Sequence, residues 1–168
     1  MIFDVSSVTP GEALSMALKS EYDTEKLYLK IQSQVKNFVL RDKLDFLISE
    51  EKKHQKLIEA LYQKMFSGKT VKASEKSLMP KLTLSLDEDH TVPDLLEMAM
   101  DIEKLAEEVY DKLADETDER GIQELLRYLA SMEHSHYFLI KGEYDLCMQD
   151  ESYFEREDFQ YDMVHIGP

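Results

Sequence analysis

Tryptophan is absent from this chain of 168 residues, and cysteine occurs once, as Cys147. A single cysteine can form neither an intramolecular disulfide nor a Cys-x-x-Cys metal site, and it is typical of a reducing compartment. Glycine (five) and proline (four) are also scarce, which favours long helices because both residues interrupt them. No apolar run reaches the roughly 18 residues of a membrane-spanning helix, and the first residues lack the pattern of a signal peptide. We therefore expect a cytoplasmic protein that does not enter a membrane.

Basic residues are few compared with acidic ones. The chain has 20 Lys and Arg against 35 Asp and Glu, which gives a formal net charge of −15. A surface of this sign repels phosphate and anionic lipid, so we expect neither nucleic acid nor membrane as a partner. The hydrophobic fraction of 43% and the length predict one globular domain with a sizeable core.

Apolar residues recur at helical spacing in four segments, which predicts an all-α fold. The predicted helices are residues 10–37, 39–66, 92–116 and 119–149. Thr9 is expected to cap the first helix in a capping box with Glu12, and Asp118 is expected to cap the fourth.

Two segments lack this spacing. Residues 67–91 form a connection of about 25 residues, which is unusually long inside a compact domain. Residues 150–168 are aromatic and acidic, and we expect this tail to pack on the body of the protein or on a partner. The bundle is therefore predicted to span residues 1–149, with a crossover at 67–91.

One pattern occurs twice in the chain with a constant offset of 82 residues. In each copy a glutamate is followed seven residues later by a tyrosine, and the next predicted helix carries Glu-x-x-His. The first copy comprises Glu21, Tyr28, Glu51 and His54, and the second comprises Glu103, Tyr110, Glu133 and His136. One Glu-x-x-His in a charged helix is commonplace, but surface charges have no reason to repeat in this way.

The spacing predicts that each copy converges on one point. Residues three apart share a helix face, and all six polar members fall within apolar stripes. The midpoint of Glu21 and His54 lies near Asn37, and that of Glu103 and His136 lies near Glu119. Because these are the expected turns, each glutamate should lie level with the Glu-x-x-His of its partner helix.

The long connection predicts how the two hairpins are joined. A helix of about 27 residues is near 40 Å long at about 1.5 Å per residue, and some 25 extended residues can cross that length. The third helix would then begin at the same end as the second. The sequence thus predicts an antiparallel four-helix bundle with a long crossover between helices 2 and 3, and two half-sites that meet at mid-height.

Four carboxylates in a core are costly unless they are paired or bound to metal. Two divalent cations would neutralise them, and mixed oxygen and imidazole donors suit iron or manganese, while zinc and copper also accept them. The predicted ligands are Glu21, Glu51, His54, Glu103, Glu133 and His136. Tyr28 and Tyr110 are expected either to fill the core with satisfied hydroxyls or to donate a hydrogen bond to a ligand carboxylate.

These residues resemble those of rubrerythrin-type proteins in the ferritin-like di-iron carboxylate superfamily. The resemblance covers about residues 10–147 and is carried by Ala17–Glu21 through Tyr28, Glu51–His54, Ala99–Glu103 through Tyr110, and Glu133–His136. It implies a di-iron centre that reacts with hydrogen peroxide or dioxygen. It also implies that Glu51 and Glu133 bridge the metals, that Glu21 and Glu103 are terminal ligands, and that each histidine binds one metal.

The chain departs from that family in two ways. Full-length rubrerythrins add a rubredoxin domain with four cysteines, so with one cysteine the electrons would come from an external donor such as a rubredoxin. Rubrerythrins also carry a further carboxylate three residues after the third-helix ligand, where this chain has Ala106. Glu107 is one residue further on, about 100° around the helix, and is considered as a candidate contact to the ligands.

Three functions agree with the sequence. The leading hypothesis is a dinuclear non-haem iron oxidoreductase, expected as a homodimer, in which no catalytic residue acts beyond the metal ligands. The first alternative is a ferroxidase or an iron storage or delivery protein. The second is an interaction module, with or without a structural metal, that docks through its aromatic tail.

Overall fold

The computed structural model of this protein describes residues 8–76, 90–150 and 152–155. Within these ranges the chain forms four α-helices and one short 3₁₀ helix and contains no strand. The helices are α1 (Pro10–Gln34), α2 (Phe38–Met65), α3 (Val92–Asp115) and α4 (Arg120–Gln149), and the 3₁₀ helix is Tyr153–Glu155. The predicted all-α class is therefore confirmed. Over the described residues, no helix has the length and apolar character needed to cross a membrane.

Capping boxes fix the first residues of α1 and α3. The Thr9 hydroxyl accepts a hydrogen bond from the Glu12 amide (3.3 Å), and the Glu12 carboxylate accepts one from the Thr9 amide (2.9 Å). Thr91 and Asp94 make the same reciprocal pair at α3. Each box satisfies amides that a helix start otherwise leaves without partners, so these predicted starts are confirmed.

Two predicted details of the helix ends are wrong. The first helix ends at Gln34 and not at 37, because Val35 has extended backbone angles (φ −104°, ψ 131°) and Asn37 caps α2 by accepting from the Leu40 amide (3.0 Å). The fourth helix is preceded by Glu119 in the cap position, which makes no side-chain cap bond. Asp118 lies one residue too early to serve as that cap.

Contacts between helices establish the direction of each one. The Tyr28 hydroxyl donates to Glu103, and the Tyr110 hydroxyl donates to Glu21. Later residues of α1 thus face earlier residues of α3, so these helices are antiparallel. Because α1 and α2 form a hairpin around Asn37, α3 begins at the end of the bundle where α2 begins. This confirms the predicted crossover.

The crossover starts by following α1. The Ser15 hydroxyl donates to the carbonyl of Lys72 (2.6 Å), and the Ser74 amide donates to the carbonyl of Ser15 (3.0 Å). The rest of the predicted crossover segment, residues 77–89, lies outside the described ranges.

Apolar side chains form two clusters, one towards each end of the bundle. The lower cluster, at the start of α1, includes Leu14, Leu61, Leu113 and Leu129. The upper cluster, at the start of α2, includes Ile31, Leu44, Leu95 and Ile140. The buried carboxylates and imidazoles predicted as ligands lie between the two, so apolar side chains flank them above and below.

The 3₁₀ segment docks on the turn between α1 and α2. The carbonyl of Phe154 accepts hydrogen bonds from the amides of Lys36 (2.9 Å) and Asn37 (3.3 Å). The Tyr153 hydroxyl donates to Glu143 of α4 (3.0 Å), and both aromatic rings pack against the upper cluster. The tail aromatics Phe159 and Tyr161 lie outside the described residues.

Candidate metal centre

The six predicted ligands come from four different helices, and all are buried. Glu21 is 3% exposed, and the other five, Glu51, His54, Glu103, Glu133 and His136, are 1% exposed. Burial of this kind is rare for carboxylates and is maintained only by partners or ions.

Each histidine lies among carboxylates from both hairpins. Nδ1 of His54 is 3.0 Å from Oε1 of Glu133 and 3.4 Å from Oε2 of Glu21. Nδ1 of His136 is 3.3 Å from Oε2 of Glu133 and 3.4 Å from Oε1 of Glu51. The two half-sites predicted from the 82-residue offset therefore form one cluster.

Glu103, the lone glutamate of the second half, lies slightly further from the nearest histidine. Oε2 of Glu103 is 3.7 Å from Nδ1 of His136. The two imidazole rings are stacked, with centroids 5.2 Å apart and an interplanar angle of 20°. The Nδ1 atoms of the two rings lie 3.0 and 3.3 Å from the two oxygens of Glu133, so equivalent nitrogens face the same carboxylate.

The donor atoms at the centre fit a metal ion. Four residues can each offer one ligand atom, and these four atoms all lie within 4.8 Å of one another. The residues are Glu51, His54, Glu133 and His136. Six atoms of these residues are buried without a hydrogen bond of acceptable geometry, although some of them lie 3.0–3.4 Å apart. They are one oxygen of each glutamate and both nitrogens of each imidazole. Since buried polar atoms are nearly always satisfied, this concentration of unsatisfied donor atoms indicates a place for cations.

The tyrosines cross-link the two halves. Tyr28 and Tyr110 are both fully buried. Each donates its hydroxyl hydrogen to the lone glutamate of the other half, Tyr28 to Glu103 and Tyr110 to Glu21. The 82-residue offset relates Tyr28 to Tyr110 and Glu21 to Glu103. The two bonds are therefore equivalent, and the two halves of the cluster are related by a pseudo-twofold axis. Both expected arrangements are present, because the tyrosines fill the core and also donate hydrogen bonds to the carboxylates of Glu21 and Glu103.

Without metal, protons must balance the charge of the carboxylates. Burial and the charge of Glu21 raise the pKa of Glu51 well above its usual value. Burial and the charge of Glu133 raise the pKa of Glu103 to about 8. Both carboxyl groups are therefore favoured in their protonated forms at neutral pH.

The imidazoles carry protons for the same reason. Burial alone would lower the pKa of His54, but the close carboxylates of Glu133 and Glu21 raise it to about 10. The pKa of His136 is raised even further: burial opposes this, but the carboxylates of Glu103, Glu133 and Glu51 outweigh it. Metal ligands must be deprotonated, so bound cations would replace these protons.

Glu107 is not brought into the cluster. Its Oε1 lies 2.9 Å from Nδ1 of His134, and both side chains are partly exposed. A step of about 100° per residue carries Glu107 away from the inward face, on which Ala106 is buried. The position three residues after Glu103, on its inward face, is thus held by a methyl group.

The structure also contains buried polar residues that the sequence pattern did not single out. Glu143 is 1% exposed and accepts hydrogen bonds from Lys43 and Tyr153. Thr24 is 3% exposed and lies three residues after Glu21 on the same face of α1. Its spacing from Glu21 was the available signal, but a threonine on an apolar stripe is usually ordinary core.

An antiparallel four-helix bundle with a long crossover and paired Glu-x-x-His motifs defines the ferritin-like class. The chain belongs to the rubrerythrin family, whose sequence profile matches residues 12–144.

A solved structure has the same fold. It is a hypothetical protein from Pyrococcus furiosus that is 30% identical to this chain, with a TM-score of 0.72. The similarity covers 87% of this chain and 94% of that one. Among proteins of curated function, none matches the sequence significantly.

Proposed function

We propose that this protein is a dinuclear non-haem iron oxidoreductase that reduces hydrogen peroxide or dioxygen. The observation that carries the proposal is the set of buried imidazole nitrogens and carboxylate oxygens that lack hydrogen-bond partners at the middle of the bundle. Membership of a di-iron family supports iron as the metal, and the mixed oxygen and nitrogen donors suit it.

The four glutamates and two histidines would hold the metal pair. Four carboxylates carry four negative charges, which match the charge of two divalent cations. A pair of ferrous ions would supply two electrons, which with two protons convert one hydrogen peroxide into two water molecules. The apolar clusters above and below the site limit the access of water, which strengthens the electrostatic interactions inside it.

The tyrosines would hold the outer ligands in place. Tyr28 and Tyr110 each fix one carboxylate oxygen of Glu103 or Glu21, which leaves the other oxygen free to bind metal. Burial raises the pKa of both phenols well above the usual value, and the adjacent glutamates raise it further. The tyrosines therefore remain protonated donors at neutral pH and can act as fixed hydrogen-bond partners.

The electrons would come from a donor outside these 168 residues. A single cysteine cannot provide the four thiolates of a rubredoxin-type iron site within these 168 residues. An external one-electron carrier would therefore reduce the metal pair between turnovers.

Anaerobic loading with ferrous ion, followed by stopped-flow mixing with hydrogen peroxide, tests this function. We expect oxidation of the bound iron to be at least about tenfold faster than that of free ferrous ion, because the carboxylates stabilise the more highly charged product. Oxidation no faster than in buffer with either hydrogen peroxide or dioxygen would contradict the proposal. Oxidation by dioxygen but not by peroxide would restrict the oxidant to dioxygen.

A further inference from the structure

Two small side chains occupy the middle of the interface between α1 and α3. They are Thr24 and Ala106, which are 3% and 7% exposed and are related by the same 82-residue offset as the ligands. Each lies three residues after the glutamate of its helix and four residues before the tyrosine. Since residues three and four apart share a helix face, both side chains point inward at the level of the metal site.

Thr24 faces α3 and not α2. Successive residues turn by about 100° around the helix, so Thr24 and Glu25 lie on opposite sides of the line through Glu21 and Tyr28. Glu25 reaches α2, where it accepts a hydrogen bond from the side-chain amide of Gln55 (2.8 Å). Thr24 is therefore directed towards α3, where Ala106 is its twofold counterpart.

The two sides of the cluster differ chemically. Helices α2 and α4 supply the four central donors, Glu51, His54, Glu133 and His136. On the other side, the α1–α3 interface is closed above and below by the two tyrosine–glutamate hydrogen bonds. Between those bonds lie the Thr24 hydroxyl and the Ala106 methyl group. On this side of the site the two side chains between the bonds are small and uncharged.

The Thr24 hydroxyl can change partner at little cost. It donates to the carbonyl of Ser20 (3.0 Å), which also accepts the ordinary α-helical hydrogen bond from the Thr24 amide. If the hydroxyl turned away, the Ser20 carbonyl would keep that bond and remain satisfied. The hydroxyl is thus available as a donor to an anion inside the bundle.

We propose that Thr24 and Ala106 form the binding position for a small anionic ligand of the metal pair, of the size of hydroperoxide or azide. Thr24 donates a hydrogen bond to the ligand, and Ala106 faces it with no more than a methyl group. This inference rests on the proposed function. The arrangement is asymmetric, because one half of the site offers a hydroxyl and the other a methyl group.

Azide titration of the iron-loaded, oxidised protein tests the assignment, with the absorbance of the azide complex as the readout. Thr24→Val keeps the shape of the side chain and removes the hydroxyl, so we expect azide to bind about tenfold more weakly, equivalent to about 1.4 kcal/mol. Thr24→Ser restores the hydroxyl and should bind azide within about twofold of the unaltered protein. Thr70→Val, at an exposed position, makes the same chemical change away from the site and should have no effect.

Iron content and thermal unfolding of every variant separate the two proposals. If the unaltered protein takes up no iron, the proposed function fails before azide is added. If all variants take up iron and Thr24→Val binds azide as tightly as the unaltered protein, the assignment of Thr24 is overturned. A Thr24→Ser variant as weak as Thr24→Val would also overturn it.

Discussion

Individual residues around the cluster have matched roles, and the two tyrosine bonds are the clearest case. Tyr28 and Tyr110 make equivalent hydrogen bonds to Glu103 and Glu21. Replacing either tyrosine by phenylalanine leaves the ring in the core but removes the donor. We expect each variant to lose about 1–2 kcal/mol of unfolding free energy in the metal-free protein, measured by urea denaturation.

Tyr128→Phe is the control for this prediction. Tyr128 is 52% exposed, so its hydroxyl can bond to water and its loss should change stability by less than about 0.5 kcal/mol. A loss at Tyr28 or Tyr110 no larger than at Tyr128 would mean that the buried bonds do not stabilise the fold. A loss at only one of them would contradict the equivalence of the two halves.

The sequence identifies some of these residues better than others. The repeated offset and the apolar stripes predict that the six candidate ligands face inward, and the structure brings them together. The crossed partners of Tyr28 and Tyr110 depend on the register between α1 and α3, which no local pattern contains. Thr24 was missed for a different reason, because a single hydroxyl on an apolar stripe has no chemical signature of its own.

At the scale of elements, the C-terminal 3₁₀ segment closes the upper end of the bundle. Tyr153 bonds to Glu143, while Cys147 lies buried one turn further along α4. Burial and the charge of Glu143 raise the pKa of the Cys147 thiol to about 11. Below that pH the protonated, buried thiol should react slowly with disulfide reagents.

Thiol labelling therefore measures how firmly this segment is docked. We expect Cys147 to react with Ellman's reagent at pH 8 at least about tenfold more slowly in the folded protein than in guanidinium chloride. Tyr153→Ala removes the ring and the bond to Glu143, so labelling of the folded protein should become faster. Equal labelling rates in the unaltered protein and the variant would show that the segment does not protect the thiol.

The same thiol contributes to the pH dependence of stability. Its folded-state pKa of about 11 lies above the ordinary value of 9.0. The stabilisation of the folded state by the protonated thiol is therefore complete below about pH 9. It is lost as the pH rises through the folded-state pKa.

The order and direction of the helices follow from the sequence because local signals agree with the packing. The boxes at Thr9 and Thr91 set two helix starts, and the length of the 67–91 connection predicts the crossover. The break at Val35 was not predicted, because the turn depends on the extended backbone of one residue and on the docking of Phe154 at Lys36 and Asn37. Such contacts between distant segments leave no periodic trace in the sequence.

For the whole molecule, metal binding and stability should be linked. Cations that bind only the folded state add stability as their concentration rises, about 4 kcal/mol at 1,000 times the dissociation constant. For a chain of this size, removal of iron with a chelator should lower Tm by roughly 10 °C. An unchanged Tm would indicate that the buried carboxylates are neutralised without metal.

Metal uptake should also release protons. In the metal-free protein the pKa of Glu103 is raised to about 8 and that of His54 to about 10, so both are protonated at pH 7. Since a bound metal requires the deprotonated forms, affinity should fall as the pH is lowered below these values. Calorimetry in buffers of different ionisation enthalpy should detect roughly two to four protons per metal pair. Uptake without proton release would contradict the charges assigned to the cluster.

The central claim is that the two half-sites form one dinuclear centre, and anaerobic iron titration of the protein tests it most directly. We expect about two ferrous ions per chain, and almost none for the double variant Glu51→Ala with Glu133→Ala. Replacing the exposed residues Glu108 and Glu124 by alanine changes the net charge equally and should leave two ions bound. If the first double variant still binds two ions per chain, the metal centre does not lie where the paired Glu-x-x-His motifs meet.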